Sequence, residues 1–193
     1  MQSGSRKPMI RISVPFLCGL ILFLLFDRTG LGGQMVLAAL VHEIGHLIAM
    51  AALGEQPQSI IFGGFGIRME RRLGTRLPYQ KEIWIYGAGP AANLLTALLF
   101  FSNPRICRVH LLLGLFNLLP MGVLDGGQIL RCILQQKMEM VRGDFWRRSV
   151  SLCCGLLLIL LAVAVFLTSG YNASLLSTSV YLMWLLIAGN DEV

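Results

Sequence analysis

The residues with the clearest chemical potential are two histidines and a glutamate in one apolar segment. His42, Glu43 and His46 form the pattern H-E-x-x-H. Positions i and i+4 of a helix lie on one face, so both imidazoles can reach a single metal ion. Glu43 lies about 100° around the helix from His42, where it can reach a metal-bound water without ligating the metal. The pattern therefore predicts a metal held by two histidines, with a carboxylate beside it for proton transfer.

These groups lie in a chain with few charges. The 193 residues are 55% hydrophobic and 13% charged, and the mean hydropathy is +0.70. A soluble domain has about 25% charged residues. The apolar residues also form long blocks, so we predict a multi-pass integral membrane protein. This excludes a soluble enzyme and a disordered tail, and it excludes a nucleic-acid-binding protein despite the net charge of +6. The five cysteines show no CxxC spacing, which favours small apolar side chains over disulfides or a sulfur metal site.

A membrane location favours a metal over a pair of packed histidines. Residues 34–53 contain no lysine or arginine that could neutralise the H-E-x-x-H carboxylate. An ionisable side chain at the centre of a span costs about 2.5–3.5 kcal/mol. Three such side chains in one span need a common partner, and a divalent metal provides it.

The apolar blocks predict the elements that must position these residues. We expect an all-α integral membrane protein with about six transmembrane helices, forming a single transmembrane core over residues 1–193. The fourth span contains Pro120 and several glycines, so we expect it to be broken and shielded from lipid. The predicted spans are residues 12–26, 34–53, 83–101, 109–130, 149–167 and 175–188.

Basic residues predict the orientation of these spans. Of the 16 lysines and arginines, all but Arg28, Arg105 and Arg108 lie in the first, third and fifth exposed stretches. Cytoplasmic loops carry the excess of basic residues, so we expect both termini to be cytoplasmic. The positive charge then serves topology and attraction to the lipid bilayer.

Depth in the membrane selects a third metal ligand. Catalytic zinc usually has three protein ligands and one open position, and the spans offer His110 and Asp125. His46 lies about 10 Å from the cytoplasmic end of its span, and Asp125 lies at a similar depth before Arg131. His110 lies about 22 Å further out if the fourth span is helical, so we expect it at the opposite interface. We therefore predict Asp125 as the third ligand of one Zn²⁺ ion.

A glycine-rich segment separates the second and third spans. Two short apolar strings flank the glycines between Gln58 and Glu70. This pattern predicts a small β-hairpin or a re-entrant segment at the cytoplasmic face. A surface hairpin and a strand edge that pairs with an extended peptide both fit it.

Three motifs in this order resemble those of the site-2 protease family of intramembrane zinc metalloproteases. Besides H-E-x-x-H, the stretch Asn117-Leu-Leu-Pro120-Met-Gly-Val-Leu-Asp125-Gly126 is similar to the family's Asn-x-x-Pro and Asp-Gly signature. The stretch from Gly87 to Asn93 resembles its Gly-x-x-x-Asn type motif. The resemblance covers most of residues 10–190. Phe62-Gly-Gly-Phe-Gly66, the short amino terminus and the Lys81-Glu82 pair look like the stage IV sporulation FB-type branch, here without a CBS or PDZ domain.

The resemblance implies a zinc metalloendopeptidase that cleaves a membrane-tethered protein substrate near the cytoplasmic face. Glu43 would be the catalytic base, and His42, His46 and Asp125 would be the metal ligands. Asn93 would bind substrate or stabilise the oxyanion, with an interhelical hydrogen bond as the alternative. Asn117 would either contact substrate or shape the broken span.

The branch implies a sigma-factor precursor or another regulator as substrate, in regulated intramembrane proteolysis during sporulation. It also implies membrane regulatory partners and a bacterial cytoplasmic or forespore-type membrane. Two other classes use the same residues: a membrane metal-binding or transport component, and a catalytically silent scaffold. The absence of internal repeats and the displacement of the site from the midplane disfavour a transporter.

Overall fold

The helices and strands of this chain come from a computed structural model. It describes residues 9–12, 17–18, 20–21, 24–25, 27, 30–55, 59–63, 66–70, 77–169 and 174–188. The elements in chain order are β1 Met9–Ile12, α1 Gly32–Ala52, β2 Ser59–Gly63, β3 Gly66–Glu70, α2 Tyr79–Leu99, α3 Pro104–Asn117, α4 Asp125–Lys137, α5 Met140–Ser169 and α6 Ser174–Ile187. The described residues between 17 and 25 are also helical.

Helix α2 is the centre of the helical bundle. It packs against α1, α3 and α4, whereas α5 packs against α4 and α6. The α1–α2 contact is close because Gly45 faces α2: a Cβ at this position would lie 2.6 Å from the carbonyl oxygen of Ala88. Small residues allow helix backbones to approach in this way. The H-E-x-x-H segment of α1 is therefore pressed directly against α2.

The bundle buries several polar side chains within its apolar core and exposes many large apolar side chains. Helix α5 exposes four leucines between residues 156 and 161, whereas several polar side chains at the centre of the bundle are buried. Such a surface suits hydrocarbon rather than water. Among the described residues, α1 and residues 140–168 of α5 are long and apolar enough to cross a membrane, and residues 175–187 form a shorter apolar helix. The exposed leucines are Leu156, Leu157, Leu160 and Leu161, and the buried polar residues include Asn93, Gln128 and Ser151.

The fourth predicted span is broken, as its proline and glycines indicated. Helix α3 ends at Asn117 and α4 begins at Asp125. The connecting loop folds back over the first turn of α4, where a Cβ on Gly126 would overlap the carbonyl oxygen of Leu118 and one on Gly127 would overlap that of Met121. Only glycine fits this approach, so the two glycines after Asp125 allow the turn.

Two hydrogen bonds hold the loop in place. The Gln128 side-chain amide donates to the Gly122 carbonyl oxygen at 2.6 Å, and the Ser151 hydroxyl of α5 donates to the Pro120 carbonyl oxygen at 2.9 Å. Backbone released by the break is thus satisfied within the protein, as burial in an apolar medium requires. The loop presents Asp125 as the first residue of α4.

A three-stranded sheet lies beside the helices. Strand β2 pairs with β3 in antiparallel fashion within the segment predicted to be a hairpin or re-entrant, with Gly63 opposite Gly66. Strand β1 pairs with β2 in parallel, and the strand order is β1-β2-β3. The predicted first span started at Ile12, which belongs instead to β1, because the β-branched and apolar run before the helix pairs with β2. Strand β3 is an edge of this sheet.

Polar contacts tie α2 to α1 and α4 near the start of α2. Lys81 Nζ lies 2.9 Å from Glu55 Oε1, and Arg131 Nη2 lies 3.4 Å from Glu82 Oε2. The Cys132 thiol donates to the same Glu82 oxygen at 3.2 Å. Burial, with the Glu82 carboxylate, raises the pKa of Cys132 to about 12, so the thiol stays protonated as a donor at neutral pH. These contacts fix the rotation of α4 relative to α2.

Substitution of Gly45 tests the α1–α2 contact. Gly45→Ala should lower the free energy of unfolding by about 1–3 kcal/mol, because its Cβ meets backbone atoms of α2. Gly33→Ala, in the same helix, is the matched control because its Cβ would meet nothing within 4 Å. Thermal unfolding of the purified protein in detergent compares the two. Equal midpoints for both variants would contradict the close contact.

Candidate metal centre

Three side chains from two helices converge at one buried point. Helix α1 contributes His42 and His46, and α4 contributes Asp125. Asp125 Oδ2 lies 2.9 Å from His42 Nε2 and 3.4 Å from His46 Nε2, and the two Nε2 atoms are 3.1 Å apart. Among the described residues, these three form the group with metal-binding potential. The structure thus brings together the three residues predicted as ligands, although Asp125 lies far along the chain from the two histidines.

The spacing of these atoms fits a tetrahedral metal. Zinc binds histidine nitrogen and carboxylate oxygen at about 2.0–2.2 Å, so the edges of a zinc tetrahedron measure about 3.3 Å. The three measured separations lie close to this value. Asp125 Oδ2 is also buried and faces the two imidazole nitrogens, without forming a hydrogen bond of good geometry with a described residue. A buried carboxylate oxygen of this kind needs a cationic partner, and a zinc ion would supply it.

Gly89 of α2 leaves the space beside the histidines open. A Cβ at this position would overlap His46 Nε2 and would lie 2.8 Å from His42 Nε2. The motif noted in the sequence runs from Gly87 to Asn93 and contains Gly89, which is the glycine that faces the site. Gly89 stands four residues before Asn93, and this spacing places both on one face of α2. That spacing was the signal that could have identified Gly89.

A backbone carbonyl orients the second histidine. His46 Nδ1 lies 2.7 Å from the carbonyl oxygen of Ile85. A carbonyl only accepts, so the imidazole proton is on Nδ1 and Nε2 is free to bind metal. Sequence reasoning missed this contact because backbone acceptors have no sequence signature.

Glu43 lies beside the three converging residues and is half-buried on α1. Its carboxyl group interacts electrostatically with His42, His46 and Asp125. It is absent from the group whose ligand atoms converge. The arrangement leaves Glu43 next to the site as a proton-accepting group.

Asn93 and His110 are buried beside His42. Asn93 Nδ2 lies 3.2 Å from His42 Nδ1, and Asn93 Oδ1 lies 2.9 Å from His110 Nδ1. The side chain predicted to meet substrate or an oxyanion thus has both amide atoms in contact with histidines, which matches the interhelical alternative.

The expectation that His110 lies at the opposite interface, far from the ligands, is wrong, because His110 is buried and contacts Asn93, which in turn contacts His42. The predicted separation from Asp125 assumed a continuous helix. The break after Asn117 and the fold-back of the loop between α3 and α4 shorten that separation.

Asn117 has a local structural contact. Its side-chain amide donates to the Leu113 carbonyl oxygen at 3.0 Å, one turn earlier in α3. The contact satisfies a carbonyl near the end of α3, where the break begins. This favours the structural alternative for Asn117 over contact with substrate.

Comparisons with known proteins identify similar chains. The model of peptidase family M50 matches residues 106–168. The chain is 32% identical over 165 residues to "Putative zinc metalloprotease Rip3" of Mycobacterium tuberculosis, covering 73% of this chain and 41% of that protein. It is 30% identical over 152 residues to "Putative zinc metalloprotease sll0528" of Synechocystis, covering 70% of this chain and 37% of that protein. The chain thus spans about two fifths of the length of these relatives.

The fold is similar to that of the site-2 protease from Methanocaldococcus jannaschii. The TM-score is 0.65 at 20% sequence identity, and the match covers 93% of this chain and 89% of that one. The likeness extends to the fold of nearly the whole chain, including the helices that carry the converging residues.

Substitution of Gly89 tests the space at the metal centre. Gly89→Ala should reduce bound zinc per protein at least tenfold, because the added Cβ occupies the position next to both Nε2 atoms. Gly87→Ala is the control, since its Cβ would meet nothing within 4 Å. Elemental analysis after purification without chelators measures both. Full zinc occupancy in Gly89→Ala would contradict this placement of the site.

Proposed function

We propose that this chain belongs to peptidase family M50, the site-2 proteases, and that it is an intramembrane zinc metalloprotease. It hydrolyses a peptide bond of a membrane-spanning or membrane-associated protein. The observation that carries this proposal is the convergence of His42 Nε2, His46 Nε2 and Asp125 Oδ2 inside the bundle. The family supports the zinc metalloprotease activity.

His42, His46 and Asp125 hold the metal. The bound zinc supplies Lewis acidity that makes water a nucleophile near neutral pH and polarises the scissile carbonyl. Ile85 holds His46 in the tautomer that leaves Nε2 free. Gly89 keeps the adjacent space open.

Glu43 carries out the proton transfers. Its carboxylate accepts the proton of the attacking water and then delivers that proton to the leaving amine. The position of Glu43 beside the ligands, and outside the ligand set, supports this role. Asn117 and Pro120 shape the break that presents Asp125, and the broken span also gives an extended substrate room near the site.

We infer that this chemistry lies near the cytoplasmic face. We infer about six spans over a single core of residues 1–193, with both termini cytoplasmic. The asymmetric distribution of lysine and arginine supports this orientation. The apolar outer surface of the helices supports residence in a bilayer.

A regulator tethered to the membrane is the proposed substrate, with a sigma-factor precursor in sporulation as the specific case. The glycine-rich segment of the FB-type branch supports it, and this segment includes β2 and β3. Strand β3 is a sheet edge and offers backbone hydrogen bonds to an extended substrate segment. Other membrane proteins are expected to time the cleavage.

Glu43→Gln separates metal binding from catalysis. The variant should retain zinc at the wild-type ratio and lose cleavage by about 100-fold or more, because the amide cannot accept the water proton. Co-expression with a panel of membrane-tethered precursors, read by fragment size, compares it with wild type. Cleavage by the variant at the wild-type rate would exclude Glu43 as the base.

Asp125→Ala tests the third ligand. The variant should hold at least tenfold less zinc, because two histidines alone leave the site short of the three protein ligands that zinc requires. Zinc is measured as the metal-to-protein ratio after gel filtration in detergent. Asp144→Ala, in the exposed first turns of α5, is the control. An unchanged ratio in Asp125→Ala would refute the assignment.

A further inference from the structure

A chain of three buried side chains leads away from the metal centre. His42 is in contact with Asn93, and Asn93 is in contact with His110, so these three side chains link α1, α2 and α3. Asn93 is completely buried and His110 is nearly so. No step of peptide hydrolysis uses His110. Burying its polar ring costs free energy unless a hydrogen bond to a partner compensates for the lost hydration.

Close packing of α2 and α3 brings Asn93 and His110 into contact. Gly114 lies one turn after His110 in α3, and a Cβ at Gly114 would lie 3.2 Å from the Pro90 carbonyl oxygen and 3.3 Å from Asn93 Cβ. The glycine allows α3 to approach α2 at the level of Asn93. The imidazole of His110 therefore reaches the Asn93 amide directly.

The two histidine ligands are oriented by different kinds of partner. His46 faces a carbonyl oxygen, which can only accept a hydrogen bond. His42 faces the amide of Asn93, which can present either oxygen or NH₂ after a half turn of its terminal torsion. A histidine that binds metal through Nε2 carries its proton on Nδ1 and must donate it. The structure has the NH₂ group towards His42 and the oxygen towards His110, whereas only the reverse orientation, reached by a half turn of the amide, is compatible with the ligand role.

The other end of the amide decides which orientation is favoured. With its oxygen towards His42, Asn93 directs its NH₂ group towards His110 Nδ1, which must then accept. His110 Nδ1 accepts when the ring proton is on its Nε2 atom. A buried NH₂ group without an acceptor would cost free energy, so removing the acceptor weakens the preference for this orientation.

We propose that His110, acting through Asn93, is a positioning residue that holds His42 in the tautomer and ring orientation required of a metal ligand. This inference rests on the proposed metal site. It assigns to the metal centre a residue of α3, which contributes no ligand. Partners that orient metal-binding histidines typically change metal affinity by about 10–100-fold when they are removed.

Four variants of the full chain in detergent test this role through zinc affinity, measured by competition with a chromophoric chelator. His110→Leu removes the acceptor and should weaken zinc binding about 10–100-fold. His110→Asn places an amide oxygen near the position of Nδ1 and should restore most of the affinity. His110→Gln carries its amide one bond further out and should not. Thr96→Val, one turn beyond Asn93 in α2, removes a hydrogen bond to Ala92 and should leave the affinity unchanged.

The visible absorption of the cobalt-substituted protein reports on the ligand geometry independently of affinity. The spectrum of His110→Asn should match that of wild type, and that of His110→Gln should differ. Wild-type zinc affinity in His110→Leu would overturn the proposal. Equal affinities in the Asn and Gln variants would also overturn it, and this comparison remains decisive if the Leu variant does not fold.

An Asn93→Asp background gives a second test. A carboxylate presents oxygen to His42 in either orientation, so the position should no longer depend on His110. His110→Leu should then cost less than about twofold in zinc affinity, against about tenfold or more in the wild-type background. Equal costs in both backgrounds would show a merely structural role for His110 and overturn the proposal.

The proposed function and this inference fail in different ways. If wild type binds no zinc, or if Asp125→Ala binds it as tightly as wild type, the metal site is refuted and the inference with it. If wild type binds zinc and Asp125→Ala does not, while His110→Leu binds as wild type does, only the role of His110 is refuted.

Discussion

Three ionisable side chains share one buried point in a bundle whose outer surface is apolar, and the rest of the structure follows from this constraint. His42, His46 and Asp125 can lie within about 3 Å of each other only if their helices approach closely and the chain between them turns sharply. Glycine provides both conditions. Gly45 and Gly89 let α1 and α2 meet, and the glycines after Asp125 let the loop fold over α4.

The site has two halves that are held in different ways. The histidines lie on one regular helix, and their orientation comes from neighbours in α2: the Ile85 carbonyl for one and the Asn93 amide for the other. The carboxylate lies at a helix start, and its position comes from the loop that precedes it. A change in helix packing therefore alters the orientation of the histidines, whereas a change in loop conformation alters the position of Asp125.

The sequence predicted most reliably those features that depend on the spacing of residues within one segment. The spacing of His42 and His46 predicted their shared face, and Pro120 predicted the break in the fourth span. It failed for His110, because depth was counted along an assumed continuous helix while the chain folds back after α3. The Ile85 carbonyl could not be predicted, since any residue at that position supplies the same backbone acceptor. The pairing of β1 with β2 was equally hidden, because parallel pairing joins segments far apart in the chain.

The hydrogen bond from Ser151 to the Pro120 carbonyl connects two very different environments. On one side, α5 exposes its leucines along the surface that faces lipid. On the other, the same helix holds the loop that ends at Asp125. One hydrogen bond and five residues of backbone therefore separate the helix with the exposed leucines from Asp125, so a displacement of α5 that breaks this bond would release the loop that positions the carboxylate.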